Sequence, residues 1–332
     1  MNYIGSKIRL LPFLEESISS FIQGDISEKV FCDLFAGTGA VGRYFKSKVK
    51  VVIANDLEYY SYVLNRNYIG NHQEVDASKW LDKLANVEGK SGFIYTNYCH
   101  GGHGERNYFK DENGKRIDAM REQIESWKEQ KAVDEDTYYH LLATLLESAD
   151  KVANTASVYG AYLKHIKKTA AADLKILPAD FEKTAARHEV YQDDANELVK
   201  KIKGDILYLD PPYNARQYGS NYHMLNTIAQ YNAFEPKGVT GLPEYNRSAY
   251  CSKASVRTSF EELICNANFK YVFLSYNNEG LMSHDDISDI LQKYGKVELK
   301  TQAYQRFKAD KTENRNHTAT ETLEYLFCLE KG

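Results

Sequence analysis

The chain has 332 residues, 43% of them hydrophobic and 13% aromatic, enough to bury the core of one large or two moderate domains. No stretch approaches the roughly 18 uncharged apolar residues of a membrane span, and the opening MNYIGSKIRLLPFLEE lacks a signal-peptide core, so a cytoplasmic protein is expected. A net charge of -4 excludes a polycation that coats nucleic acid but not DNA binding through local basic loops, and five scattered cysteines without a CxxC pair exclude a disulfide framework.

In chain order, KVFCDLFAGTGAVG (29 to 42) reads as an apolar strand that breaks into a glycine turn and opens a helix, and KVVIAND (50 to 56) reads as the next strand of a βαβ unit. LEYYSYVLNRN (57 to 67) is helical in pattern, and the glycines of HGGHGER (100 to 106) predict a loop. Cys99, His100 and His103 lie in or beside that loop without a fourth ligand at a usual spacing, so no metal is expected. Apolar positions at Ile117, Met120, Ile124 and Trp127, then at Tyr138, Leu141, Leu142, Leu145 and Leu146, predict helices over 115 to 130 and 134 to 153. Strand patterns return at HEVYQDD (188 to 194), GDILYLD (204 to 210), KYVFLSYN (270 to 277) and TLEYLFCLE (322 to 330). The alternation predicts an α/β fold with a Rossmann-like, mainly parallel sheet of about six strands, the last antiparallel. Residues 1–97 and 188–332 would form the sheet domain, and 98–187 an inserted, mostly helical lobe.

Gly37, Gly39 and Gly42 spell GxGxxG between strand and helix, and Asp56 closes the next strand nineteen residues after Gly37. Glycines there permit close backbone approach to an adenosine-bearing ligand, and the acid accepts from its ribose hydroxyls. No Gly-Lys-Ser/Thr follows, which excludes a P-loop. Both a nicotinamide dinucleotide and S-adenosylmethionine (SAM) carry that adenosine. Asp33, ahead of the glycines, favours SAM, because a carboxylate there repels a pyrophosphate and attracts an ammonium.

The apolar run LYLDPPYNA (207 to 215) ends in Asp210-Pro211-Pro212-Tyr213. A carboxylate at the carboxyl end of a strand in such a sheet projects into the ligand crevice. Pro211 and Pro212 remove two backbone donors, which leaves only acceptors: the Asp210 side chain and neighbouring carbonyls. Such a corner suits a group with two N–H donors. The exocyclic amine of adenine is one, with Tyr213 as a stacking platform for a base flipped out of a duplex. Hydrogen bonds to both amine hydrogens would free the nitrogen lone pair for direct methyl transfer, without a covalent enzyme intermediate.

These residues resemble the Dam-type adenine-specific DNA methyltransferases, including those of restriction-modification systems, over most of the chain. YIGSK is similar to the family's first motif, which implies that Tyr3 and Lys7 contact SAM. DLFAGTG resembles its SAM loop, which adds Asp33, Phe35, Gly37 and Gly39, and Asp56 takes the place of its ribose acid. Asp210 to Tyr213 match its catalytic motif, with Asp210 touching the cofactor as well. The resemblance gives Asp194, in preference to Asp193, to the SAM adenine amine, and it sets SYNNEG (275 to 280) in the wall of the target-base pocket. It implies double-stranded DNA as substrate and, as partner, a cognate restriction endonuclease acting on the same sequence. Relatives that methylate the cytosine amine usually begin the motif with Ser, and those that methylate protein glutamine with Asn, so Asp210 points to adenine.

DNA contacts are expected from Arg216, Gln217, Asn221 and His223, just past the corner, and from Arg247, Lys253 and Arg257. The last three belong to 237–258, with four basic residues against one acid, which rivals the lobe as target-recognition region. From 98 to 190 there are fourteen Lys and Arg against sixteen Asp and Glu, which weakens the lobe's claim to be the sole reader of DNA. QRFKADKTENRNHT (305 to 318) reads as a hairpin loop able to bind phosphates.

Overall fold

The structure, a computed structural model, describes residues 7–305 and 321–332. Tyr3 and the basic stretch from Arg306 to Thr318 lie outside the described residues. Among the described residues seven strands form a single sheet: β1 (Val30–Asp33), β2 (Val51–Asn55), β3 (Glu189–Tyr191), β4 (Lys203–Leu209), β5 (Asn268–Asn277), β6 (Gly295–Gln305) and β7 (Glu321–Lys331). Their order is β3-β2-β1-β4-β5-β7-β6. Five strands pair in parallel, and β7 inserts antiparallel to both β5 and β6.

The antiparallel last strand is as the sequence predicts, but the count of about six is one short. The strand without a sequence signal is β6, GKVELKTQAYQ, which sits at the sheet edge. Its Lys296, Glu298 and Lys300 are what an edge tolerates, and they hide it from a search for apolar runs.

Successive side chains point to opposite faces of a strand, so the nearly continuous burial along β1, β2, β4 and β5 means that both faces of the sheet are covered. Along β5, Val272, Leu274 and Tyr276 join a cluster with Phe260, Leu263 and Ile264 of the helix Val256–Asn266 and Ile287, Ile290 and Leu291 of the helix His284–Leu291. On the other face, Phe273 meets Phe21 of the helix Leu11–Phe21 edge-on at 5.7 Å. Phe31 of β1 stacks on Phe45 at 4.5 Å and lies parallel to Tyr208 of β4 at 6.3 Å.

By backbone contacts the chain divides into two compact units. The sheet unit takes the described residues up to Leu57, Ala186–Gln217 and the described part of Arg247–Gly332. The other takes Glu58–Ala185 and Tyr218–Asn246. The helical unit therefore begins about forty residues before the expected boundary at 98, and it draws in a second segment. Its own packing shows why: Asn226 accepts from the amide of Tyr60 at 3.0 Å, and Arg121 donates to the carbonyls of Ile228 and Ala229 at 3.0–3.2 Å. The basic stretch 237–258 is split between the units at Asn246. In the helical unit, Asp111–Glu129 and Glu135–Lys151 are the long helices that the apolar spacing predicts.

Candidate active site

The sheet reverses direction of travel between β1 and β4: from β1 the chain moves outward to β2 and β3, and from β4 outward to β5. Ligands bind such sheets at this switch, outside the carboxyl ends of the strands. Asp33 ends β1 in register with Tyr208 of β4. Asp210 lies two residues beyond Tyr208, so Asp33 and Asp210 share one face of the sheet. Phe31 and Tyr208, stacked on that face, fill the space beneath them.

Around Asp33 the glycine turn folds tightly. Gly37 and Gly39 have φ of 53° and 80°, the left-handed region in which a Cβ is strained. Asp56 accepts from the Gly37 amide at 2.8 Å, and Asp33 Oδ2 from the Gly42 amide at 3.0 Å. The other oxygen, Asp33 Oδ1, is buried without a hydrogen-bond partner. Burial pushes the Asp33 carboxyl up to about 8, with the charges of Asp210 and Asp56 adding to the effect and the Gly42 amide opposing it.

Asn55, at the end of β2, is 1% exposed and ties the loops together. Its amide donates to the carbonyls of Leu34 and Asp193, each at 3.1 Å, while its oxygen accepts from the Asp193 amide at 3.0 Å. Asp194 then caps the short helix Ala195–Leu198, with Oδ1 accepting from the amides of Asn196 and Glu197. Asp193 differs: its carboxylate pairs with Lys201 at 2.9 Å. Asp194 is exposed beside the loop that Asn55 anchors. Phe35 meets the ring of Tyr250 edge-on at 5.1 Å, and Tyr250 in turn bonds Asn196 at 2.8 Å.

At the DPPY corner, Asp210 is 19% exposed in its side chain and lies 3.2 Å from Lys7 Nζ. Lys7 also faces Glu324 of β7 at 3.6 Å. Burial pushes Asp210 up to about 6, Lys7 pulls it down, and Glu324 pushes it up again. Burial alone would lower Lys7, yet Asp210 and Glu324 hold its ammonium above the ordinary lysine range. The Tyr213 carbonyl accepts from Leu281 N at 2.9 Å, and its ring meets Tyr276 edge-on at 6.3 Å, beside the SYNNEG segment. On the sheet beneath, the hydroxyls of Tyr208 and Ser275 bond at 2.8 Å.

The residues assigned to DNA divide sharply. Arg216, Arg247 and Lys253 are exposed. Gln217 is committed, its Oε1 accepting from Ser248 N at 2.8 Å. Arg257 is exposed but ion-paired with Asp286. In the helical unit, Asn221 is partly exposed and its carbonyl accepts from Tyr159 N at 2.7 Å. His223 is a correction: it is fully buried, with Nδ1 and Nε2 each 3.0 Å from the carbonyls of Ser220 and Thr240. The rings of Tyr98, Tyr108 and Tyr159 surround it, and burial lowers it to about 4 against the pull of those carbonyls. It holds the core together and cannot reach a base edge. Cys99 is likewise buried, and among the described residues no three His, Cys, Asp or Glu side chains stand close enough to hold a metal.

Three features have roles that the sequence did not show, although Asn55 stands beside Asp56 in the pair that resembles the family's ribose motif. Asn55 and Glu324 sit within strands, where a lone polar residue gives no signal until register shows what it faces. The third is a loop of the helical unit, Lys164 to Lys168, in which His165 and all three lysines are exposed and Ile166 is 43% exposed. Asn154, 1% exposed, pins the loop through the His165 carbonyl at 3.1 Å and the Lys167 amide at 3.0 Å.

A doubly wound sheet with a glycine turn on one side of its switch point and the Asp210 carboxylate on the other is consistent with an α/β methyltransferase fold. Residues 3–290 match the family described as D12 class N6 adenine-specific DNA methyltransferase. The chain belongs to that family, so its substrate is DNA, its target adenine N6, and its reaction requires a methyl donor. It is 62% identical over 332 residues to the type II methyltransferase M.NlaIII of Neisseria lactamica, with 100% of this chain and 99% of that one covered. It is 40% identical over 337 residues to the type II methyltransferase M.CviAII of Paramecium bursaria Chlorella virus 1, covering 99% of this chain and 98% of that one. The type II methyltransferase M.FokI of Planomicrobium okeanokoites is 38% identical, and there the chain spans 53% of the relative's length. No helix among the described residues is long and apolar enough to cross a membrane.

Proposed function

We propose that the chain transfers a methyl group from SAM to N6 of an adenine flipped out of double-stranded DNA, as the modification half of a type II restriction-modification system whose cognate endonuclease reads the same sequence. The carrying observation is the placement of Asp33 and Asp210 on one face across the β1–β4 switch, with the glycine turn beside one and the two prolines after the other. Full-length similarity to M.NlaIII and M.CviAII, both type II methyltransferases, supports the restriction-modification role.

The residues fit a cationic, adenosine-bearing donor. Asp33 keeps a buried carboxylate oxygen without a partner, a costly arrangement for the free protein that a ligand ammonium would relieve. Asp56, beside Gly37, would take the ribose, Phe35 and Asp194 the adenine, and Lys7, through its place in the acidic corner, the remainder. When bound, SAM supplies a methyl carbon made electrophilic by its sulfonium.

The protein's own part is to orient and to accept protons. Asp210 and the carbonyls beside Pro211 and Pro212 would take both amine hydrogens, which favours a pyramidal nitrogen with its lone pair exposed. Tyr213 would stack on the extruded base and offset part of the few kcal/mol of unstacking. The nitrogen becomes strongly acidic once alkylated, so a modest acceptor such as Asp210 can take the proton. Arg216, Gln217, Asn221, Arg247, Lys253, Arg257 and the Lys164 loop form the pool from which DNA contacts are drawn.

Sequencing DNA from cells that express the chain, with detection of modified bases, tests the reading. N6-methyladenine confined to one short recurring sequence is expected, together with resistance of that DNA to a nuclease cutting there. Methyl groups on cytosine, or on adenines without sequence preference, would defeat it.

A further inference from the structure

The acidic corner holds one group that the transfer chemistry above does not use. Glu324 lies on β7 opposite Asn277 of β5, and alternation along β5 puts Asn277 on the same face as Ser275, which bonds Tyr208. Register therefore carries Glu324 to the face of Asp210, although the two are 114 positions apart in the chain. Its side chain is 12% exposed, and it stands on the far side of the Lys7 ammonium, which is 6% exposed. One buried cation thus bridges two carboxylates, 3.2 Å from Asp210 and 3.6 Å from Glu324.

We infer that Glu324 is a positioning residue for methyl transfer: it takes a share of the Lys7 ammonium, so that Asp210 keeps acceptor capacity for the hydrogens of the target amine. The inference rests on the reading that Asp210 grips the amine. A lone Lys7–Asp210 pair would be a neutral, closed unit, with the ammonium competing directly against the substrate for the carboxylate oxygens. A second carboxylate divides that attraction and leaves the cluster with a net negative charge. The other charged and titratable groups facing Asp210 are Asp33 at the end of β1, Tyr208 on β4 and Tyr213 past the corner, with Asp56 acting on Asp33 and Glu279 on Tyr213. Among the described residues Lys7 is the only cation in this set, so how it is shared bears on the strength of Asp210 as an acceptor.

The test uses the full-length enzyme with Glu324→Gln, which keeps the side chain's size and removes its charge. In the free protein, the midpoint of the Asp210 carboxyl titration, followed by carbon-13 NMR, should fall, because a like charge has gone and Lys7 pairs with Asp210 alone. At saturating DNA and cofactor, kcat should drop several-fold and its acid limb should move to lower pH, with KM for DNA held within about twofold. Lys7→Met should move the Asp210 midpoint the opposite way. A Glu324→Gln variant with wild-type kcat and an unmoved Asp210 titration would overturn the inference. So would a titration that falls while kcat and its acid limb stay in place. Asp210→Asn separates the two readings: full activity there sinks the role of Asp210 itself, whereas an inactive Asp210→Asn beside a wild-type Glu324→Gln sinks only the role of Glu324.

Discussion

Asp33 is a carboxyl that the free protein would be better without. One oxygen receives the Gly42 amide, the other is buried and unpartnered, and burial pushes the group up to about 8. An aspartate in an unfolded chain titrates near 3.9, so between these values the folded state binds the extra proton. Stability must then decline as pH rises through this window and level off above it. Denaturant unfolding of the free enzyme from pH 5 to 9 should show that decline, and Asp33→Asn should flatten it; an unchanged slope would mean that Asp33 is ionised in the folded protein. Under the proposed function the same variant should weaken cofactor binding, because an amide cannot ionise to pair with a ligand ammonium. Asp210 poses the complementary case. Asp210→Asn replaces an acceptor with a donor at nearly constant volume, so transfer should fall on the order of 10²- to 10³-fold, the loss typical of one preorganised hydrogen-bonding group in an active site. Cofactor affinity, measured by calorimetry, should survive in part, and a rate within tenfold of wild type would remove Asp210 from the chemistry.

At the scale of elements, the loops of the site are held by a few buried amides. Asn55 joins the end of β1 to the loop after β3 through bonds to Leu34 and Asp193. Asn55→Ala leaves those groups without partners and should cost roughly 1–3 kcal/mol in denaturant unfolding, with weaker cofactor binding as Asp194 loses its anchor. The glycine turn, Asp56 and the DPPY corner were legible from the sequence because each couples special backbone geometry to a chemical group at fixed spacing. Glu324 and Asn55 were not, since a strand residue gains meaning only from the partner that register sets opposite it. His223 misled for a related reason: a histidine in a polar stretch looks available, and only packing shows that three tyrosines enclose it. The Lys164 loop was hidden by averaging, because three lysines from 164 to 168 vanish in a lobe that is slightly acidic overall. Lys164 and Lys168 make no ion pair among the described residues. If the loop touches phosphates, replacing both by Ala should weaken binding to all DNA sequences alike and lower the slope of log affinity against log salt by about 1 per lysine. A slope equal to wild type would take the loop out of the interface.

Across the whole molecule, a net charge of -4 and a polyanionic substrate imply that attraction is local, while the cationic donor proposed above would call for an acidic pocket. Arg216, Gln217, Arg247, Lys253 and Arg257, proposed to meet DNA, lie in the sheet unit. All described residues assigned to cofactor and catalysis, from Lys7 to Asp56 and from Asp194 to Tyr213, belong to the sheet unit. Asn221 and the Lys164 loop belong to the other, which the chain builds from Glu58–Ala185 and Tyr218–Asn246. Sequence patterns located the helices of that unit but not its full extent, because the bonds from Asn226 and Arg121 that enlist the second segment join residues over a hundred positions apart. Amide hydrogen exchange on the intact chain can separate the two roles. A ligand at 1,000 times its dissociation constant stabilises the state it binds by about 4 kcal/mol, enough to slow local opening strongly. Saturating SAM should therefore slow exchange from Asp33 to Gly42, around Asp194 and around Asp210, with little change in the helices Asp111–Glu129 and Glu135–Lys151. Cognate DNA should add protection at Lys164 to Lys168 and at Arg216, whereas SAM protection centred on those two helices would contradict the assignment of the cofactor to the β1–β4 switch.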